Sequence, residues 1–276
     1  MYMLLKDGKK KVLTFSYDDG VVQDIRLIGI FDRYGLKGSF NINTGMYLPE
    51  DAERERYYGR MKLSEAKALY TNSGHEVAVH GVTHPFLEKL TKTAVLTEIL
   101  EDRRNIEAEY GTVARGMAYP YGTYNADVVD ALRDCGICYS RTVKSTGSFG
   151  FPENWLLLDP TCHHNDPKLM EMAEKFVNAK IEPARGVQMF YVWGHSYEFD
   201  NNDNWNVIEE LAAYVSGKED IWYATNIEIY DYVQAYKSLQ CSVNENIIHN
   251  PSAIDVWFCK DNKSFCVKAG ETLHIG

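Results

Sequence analysis

Residues 11–35, KVLTFSYDDGVVQDIRLIGIFDRYG, hold in one stretch the pattern that decides the fold. Lys11 to Ser16 is rich in β-branched and aromatic residues and reads as a strand. The polar Tyr17-Asp18-Asp19-Gly20 breaks it, and Val22 to Tyr34 then shows helical periodicity up to Gly35. The theme recurs along the chain. Gly38 to Ile42 reads as a second strand, Leu63 to Asn72 as a helix closed by Ser73-Gly74, and Glu76 to Val79 as a third strand ending at His80. A long charged helix follows from Ala94 to Tyr110. Gly116 to Tyr119 enters the turn Pro120-Tyr121-Gly122, and Asp127 to Asp134 is helical with Gly136 as its C-cap. Further strands are expected at Cys138 to Val143, Trp155 to Leu158, Gln188 to Trp193 and Ile221 to Ala224. Strands alternating with helices imply a parallel sheet with crossover connections, either a barrel or a doubly wound sheet. After Gln240 the pattern changes. Ala253 to Cys259, Phe265 to Val267 and Thr272 to Ile275, with turns near Asn262 and at Ala269-Gly270, read as a short antiparallel meander. The expected division is a main unit over 1–238 and a small β appendage over 239–276, packed on it because roughly 35 residues bury too little to stand alone.

The chain has 276 residues, with 29 basic against 39 acidic side chains and 45% hydrophobic residues. That composition excludes a disordered chain, and the net charge of −10 argues against nucleic acid or an anionic membrane as the main partner. No run approaches the roughly 18 to 20 apolar residues of a membrane span, so no membrane insertion is expected. Met1 to Leu5, followed at once by Lys6-Asp7-Gly8, is too short and too soon charged for a signal peptide. The chain as given therefore reads as cytoplasmic, and one trimmed of a leader would read identically. The six cysteines are too few and too irregular for a disulfide scaffold. Cys135 and Cys138 form a lone CxxC, read as structural thiols. A turn at Asn262-Lys263 would set Cys259 opposite Cys266 in a hairpin, with free thiols the expected state.

Functional groups of a parallel α/β fold collect at the C-terminal ends of its strands. Here those ends hold Asp18-Asp19, His80-Gly81-Val82-Thr83-His84, Tyr119-Pro120-Tyr121-Gly122 and Trp193-Gly194-His195-Ser196. Two histidines four apart, in a helix or a tight turn, can share a metal, and Asp19 can complete a facial set of three. Two imidazoles and a carboxylate suit Zn²⁺ foremost, and also Co²⁺, Ni²⁺ or Fe²⁺. Asp18 then lies where it can take a proton from water whose pKa the metal lowers. The plainer readings are two polar loop histidines and an Asx-turn ending the strand; the joint presence of all these strand-end groups weighs against them.

These residues, in this order and spacing, resemble the polysaccharide deacetylases, the NodB-homology or carbohydrate esterase family 4 enzymes. Tyr34-Gly35-Leu36-Lys37-Gly38-Ser39-Phe40 and Gly74 to His80 (GHEVAVH) extend the resemblance, which covers roughly residues 10–235. It implies a distorted (β/α)7-type barrel with one divalent metal ion held by Asp19, His80 and His84. It implies Asp18 as catalytic base, the Tyr121 N–H as oxyanion donor and His195 as general acid. The expected activity is removal of an acetyl group from an N- or O-acetylated sugar. Hydrolysis of a cyclic amide on the same fold and a non-catalytic carbohydrate-binding protein are the alternatives.

There are departures. Many members carry Arg two residues before the motif's Pro, where this chain has Ala118, with Arg115 further upstream; the usual acidic-Trp motif is missing, and Cys138 to Val143 stands in its place. Arg141 can supply a positive charge near Asp18 or be a surface arginine ending a strand. Trp155 to Asp166 (WLLLDPTCHHND) maps onto none of the motifs. Its His163 and His164 either line the substrate groove or are solvated loop residues. Pro120, Trp193, Tyr197, Glu198 and Trp205 complete the candidates for sugar contacts. An oligomer remains compatible with the tail's exposed strands.

Overall fold

The computed structural model describes residues 1–53 and 59–275. Its central element is a parallel sheet of β1 (Lys11–Asp18), β2 (Gly38–Ile42), β3 (Glu76–Val79), β4 (Gly116–Ala118), β5 (Tyr139–Arg141), β6 (Cys162–His163), β7 (Gln188–Gly194) and β8 (Ile221–Tyr223). The spatial order is β5-β4-β3-β2-β1-β7-β6, with β8 paired to the first half of β1. Leu158 bridges in parallel to Arg141 beyond β5, and the sheet curls into a distorted (β/α)7-type barrel. Around it run α1 (Asp24–Tyr34), α2 (Leu63–Tyr70), α3 (Lys92–Tyr110), α4 (Ala126–Asp134), α5 (Leu169–Val177), α6 (Tyr197–Asn201), α7 (Trp205–Val215) and α8 (Asn226–Lys237).

β1 is central, and all eight of its residues are buried, as expected of a strand covered on both faces. Its apolar residues fill the core while Ser16, Asp18 and Thr14 carry buried polar groups. α1 turns Leu27, Ile28, Ile30 and Phe31 inward, with the Phe31 ring 4.6 Å from that of Phe15. Gly35 ends it in the left-handed region at φ 65°. Register then sets the site: Tyr17 lies beside Gly194 and Asp18 beside Asn41, so β1, β2 and β7 end at one level.

The segment Trp155 to Leu158 is not the expected strand. Asn154 Oδ1 accepts the Leu156 N–H at 3.0 Å and starts a 3₁₀ turn over Trp155–Leu157, leaving Leu158 alone to bridge, and the strand forms at Cys162–His163 instead. The tail is not a simple meander either. Its strands are β9 (Gln240–Cys241), β10 (Ile247–His249), β11 (Val256–Lys260), β12 (Lys263–Val267) and β13 (Thr272–His274). β11 lies between β12 and the N-terminal Tyr2–Met3, whereas β13 pairs with β10, which also takes β9. The β11–β12 turn is Asp261-Asn262, one residue earlier than expected, with φ of 48° and 60°. Cys259 therefore faces Ser264 and Cys266 faces Trp257, because a one-residue slip reassigns every partner. All six cysteines are free, and no described helix is long and apolar enough to cross a membrane.

Candidate active site

At the C-terminal mouth of the barrel lies a cleft of about 530 Å³, lined among others by Asp18, Asp19, Arg60, His84, Trp193 and His195. His80 and His84 reach it from a tight turn after β3, not from a helix: Gly81 has φ 76° and His84 φ 55°. Asp19 and Tyr121 are also left-handed, at φ 85° and 58°. Such non-glycine conformations cost about 1–2 kcal/mol each, and their coincidence at one cleft marks where the surrounding structure over-determines the backbone.

The adjacent acids part company. One ligand atom from each of Asp19, His80 and His84 falls within 4.8 Å of the others. His84 Nε2 is 3.7 Å from Asp19 Oδ1. His80 places Nδ1 2.8 Å from the Ala118 carbonyl, so that nitrogen carries the proton and Nε2 is left with its lone pair facing the cleft. Its backbone N–H donates to Asp102 Oδ2 at 2.9 Å. Burial lowers the pKa of both imidazoles, that of His84 to about 4, with His80 adding to the effect on His84. Neutral histidines, one with a fixed tautomer, beside a carboxylate fit a divalent cation. Asp18, with Oδ2 3.8 Å from His80 Nε2, has further partners of its own. Its Oδ1 accepts from Asn41 Nδ2 at 2.8 Å and its Oδ2 is paired with the fully buried Arg141 guanidinium. Burial alone would raise its pKa, but Arg141, His80 and His195 outweigh it and hold Asp18 at about 2.

His195 Nε2 is 3.9 Å from Asp18 Oδ2, and its Nδ1 is 3.6 Å from Glu198 Oε1. Burial works against protonation of His195, but Glu198, Asp18 and Asp19 prevail and raise its pKa. Pro120–Gly122 forms a 3₁₀ turn whose own bonds use the N–H groups of Gly122 and Thr123, not that of Tyr121. The Tyr121 ring packs edge-on to His84 at 4.4 Å and stacks on Phe86 at 3.9 Å.

The remaining candidates divide. Trp193 and Tyr197 line the cleft with Tyr121, and Pro120 is buried beneath the turn. Arg141 is fully buried against Asp18 and is no surface arginine. His163 and His164 lie behind the cleft wall against Glu198, with His164 fully buried rather than solvated. Trp205 is buried, its Nε1 donating to Asp200 at 2.7 Å, with Phe199 and the Arg26 guanidinium against its ring. Arg60 and Met46 line the cleft and escaped sequence reasoning. Arg60 is held antiparallel to Val21, donates to Asn43 Oδ1 at 2.8 Å and to the Asp19 carbonyl, and lies 3.0 Å from Asp19 Oδ1. It belongs to no strand–turn–helix motif, so the sequence carried no signal for it.

Residues 5–140 match the family model described as polysaccharide deacetylase. No curated protein sequence matches the chain. Among solved structures, a Mycobacterium smegmatis protein assigned provisionally as a polysaccharide deacetylase is 18% identical over 86% of this chain and 94% of that one, with a TM-score of 0.60. A family 4 carbohydrate esterase from Streptomyces lividans, in complex with acetate, is 15% identical over 77% of this chain and 91% of that one, with a TM-score of 0.51. A Streptococcus pyogenes deacetylase, also with acetate, is 21% identical over 52% of this chain with a TM-score of 0.46, and the chain spans 61% of its length. At these identities the first two of these structures establish the fold alone.

Proposed function

The chain belongs to the polysaccharide deacetylase family through residues 5–140, and on that premise we propose that it is a metal-dependent hydrolase removing an acetyl group from an N- or O-acetylated sugar. The observation that carries this reading is the convergence of Asp19, His80 and His84, whose ligand atoms lie within 4.8 Å of one another, next to a second buried carboxylate, Asp18, that is paired with the Arg141 guanidinium. Asp19, His80 and His84 would hold the divalent ion. When bound, such an ion acts as a Lewis acid and brings a water's pKa to about 7.

The chain's own groups supply the rest. Asp18, ionised at neutral pH through its pairing with Arg141, takes the proton of the attacking water. With its pKa near 2 it is a brief carrier rather than a store. The Tyr121 N–H donates to the oxygen that gains negative charge at the acetyl carbon, and the turn after Pro120 fixes that donor in advance. His195, whose pKa is raised, gives a proton to the departing sugar nitrogen or oxygen. Trp193 and Tyr197 form the apolar wall against which the acetyl methyl and the sugar ring settle.

The test is acetate release by the zinc- or cobalt-loaded protein from an N-acetylglucosamine pentamer and from an O-acetylated xylose oligomer. Acetate from either is expected, and Asp18→Asn should lower kcat by about 10²–10⁴-fold. No acetate from either substrate by protein whose bound metal has been measured would falsify the reading.

A further inference from the structure

Cys162-His163-His164 maps onto no motif of the resemblance, yet the fold drives both histidines onto one carboxylate. Glu198 Oε2 lies 3.1 Å from His163 Nε2 and 3.1 Å from His164 Nε2. The backbone N–H of His195 donates to the same oxygen at 3.3 Å, and Glu198 Oε1 faces His195 Nδ1 at 3.6 Å. One carboxylate thus joins three imidazoles, one of which lines the cleft.

His163, His164 and Glu198 are spaced closely enough for a cation, all ligand atoms lying within 4.8 Å. The tautomer of His163 argues otherwise. The Asn165 N–H donates to His163 Nδ1 at 3.1 Å, so the neutral ring carries its proton on Nε2, the nitrogen that meets Glu198. A donor there competes with a metal. His164 is built in as firmly: fully buried, it stacks on Phe199 at 4.2 Å and on Tyr17 at 5.7 Å. Gly194 makes room for it, since a Cβ at that position would sit 2.0 Å from His164 Nδ1.

We propose that His163 and His164 are positioning residues that grip Glu198, and that Glu198 so held turns the Nδ1–H of His195 toward itself and the Nε2 of His195 toward the cleft. The proposal rests on the reading of His195 as proton donor to the leaving group. Both imidazoles and the His195 N–H converge on the one oxygen Oε2, which leaves Oε1 turned to His195 Nδ1, so a carboxylate anchored there favours one tautomer and one orientation of that ring. Glu198 is the residue in contact with His195; the two histidines act through it.

Proton delivery matters for a sugar nitrogen and hardly at all for 4-nitrophenolate, which leaves unaided near neutral pH. The zinc-loaded protein is therefore assayed on the N-acetylglucosamine pentamer and on 4-nitrophenyl acetate. His163→Ala and Glu198→Gln should lower kcat on the pentamer by about 10- to 100-fold, with KM changed less than three-fold, and the loss should exceed that on the ester at least ten-fold. His163→Gln, which restores an N–H near the Nε2 position, should recover most of the loss. Equal losses on both substrates, or none on either, overturn the proposal. A second equivalent of bound zinc that disappears in His163→Ala overturns it as well, because the cluster would then be a cation site. If the wild type releases no acetate from any sugar, the deacetylase reading fails by itself. Nitrogen-15 spectra of His195 then judge the brace: a fixed Nδ1–H tautomer lost in His163→Ala supports it, and an unchanged spectrum sinks it.

Discussion

Asp18 and Arg141 show how one buried pair can set a reaction's pH range. Arg141 has no exposed side-chain surface, and removing it would leave a buried carboxylate without its cation. Arg141→Ala is expected to cost about 3–5 kcal/mol of stability, read from the denaturation midpoint. The same change lifts Asp18 from about 2 toward the ordinary carboxylate range, so the acid limb of the pH–rate profile should move to higher pH. A profile that stays in place would separate Arg141 from the base. Asp24 has the opposite sign. Burial raises its pKa from 3.8 to about 7, against the pull of hydrogen bonds from Ser196 Oγ at 2.5 Å and Tyr70 Oη at 2.6 Å. A carboxyl raised on folding stabilises most at low pH, and its contribution is lost as pH climbs from about 4 through 7. Each unit of difference is worth about 1.4 kcal/mol. Asp24→Asn should flatten the fall in stability over that window, measured by urea unfolding at pH 5 and pH 8.

At the scale of elements, close approach decides as much as hydrogen bonding. The end of β7 passes so near His164 that only glycine fits at residue 194. Gly194→Ala should cost about 1–3 kcal/mol through displacement of the imidazole, a shift checked by thermal unfolding and by loss of the His164 stack in a crystal structure. The strands were largely legible in the sequence because parallel β-strands read as short apolar runs punctuated by polar turns, as in Lys11–Asp18 and Gly38–Ile42. Trp155 to Leu158 was misread for a physical reason: four apolar residues in a row do not distinguish a strand from a buried turn, and the deciding bond came from Asn154. α5, α6, α7 and α8 went unnamed in the sequence, although Leu169–Val177 and Trp205–Val215 each bury an amphipathic face that could have shown α5 and α7.

For the molecule as a whole, the two chain ends are stitched together. Tyr2 and Met3 pair with Cys259 and Phe258, and Tyr232 of α8 links Leu4 to Trp257 through its hydroxyl, at 2.8 Å and 2.9 Å. Phe258, Val256, Ile248 and Val267 form a fully buried cluster with Ala235 of α8. A tail tied in this way should melt with the barrel. A single denaturation transition is expected, and Phe258→Ala should lower its midpoint by the equivalent of about 3–5 kcal/mol without splitting it. Two resolved transitions would make the tail an independent unit.

Local pattern by itself determined the alternation of strand and helix and the chemistry at each strand end, since both depend on short-range periodicity and on turn residues next to the strands they end. Asp18, Asp19, His80, His84, Tyr121 and His195 were all visible in that way. Only the tertiary structure decided that Arg141 turns inward to Asp18, that Arg60 crosses from a distant loop to Asp19, and that His163, His164 and Glu198 converge behind His195. Those contacts join residues 34 to 123 positions apart, and the curling of the sheet, which no local pattern encodes, brings them together.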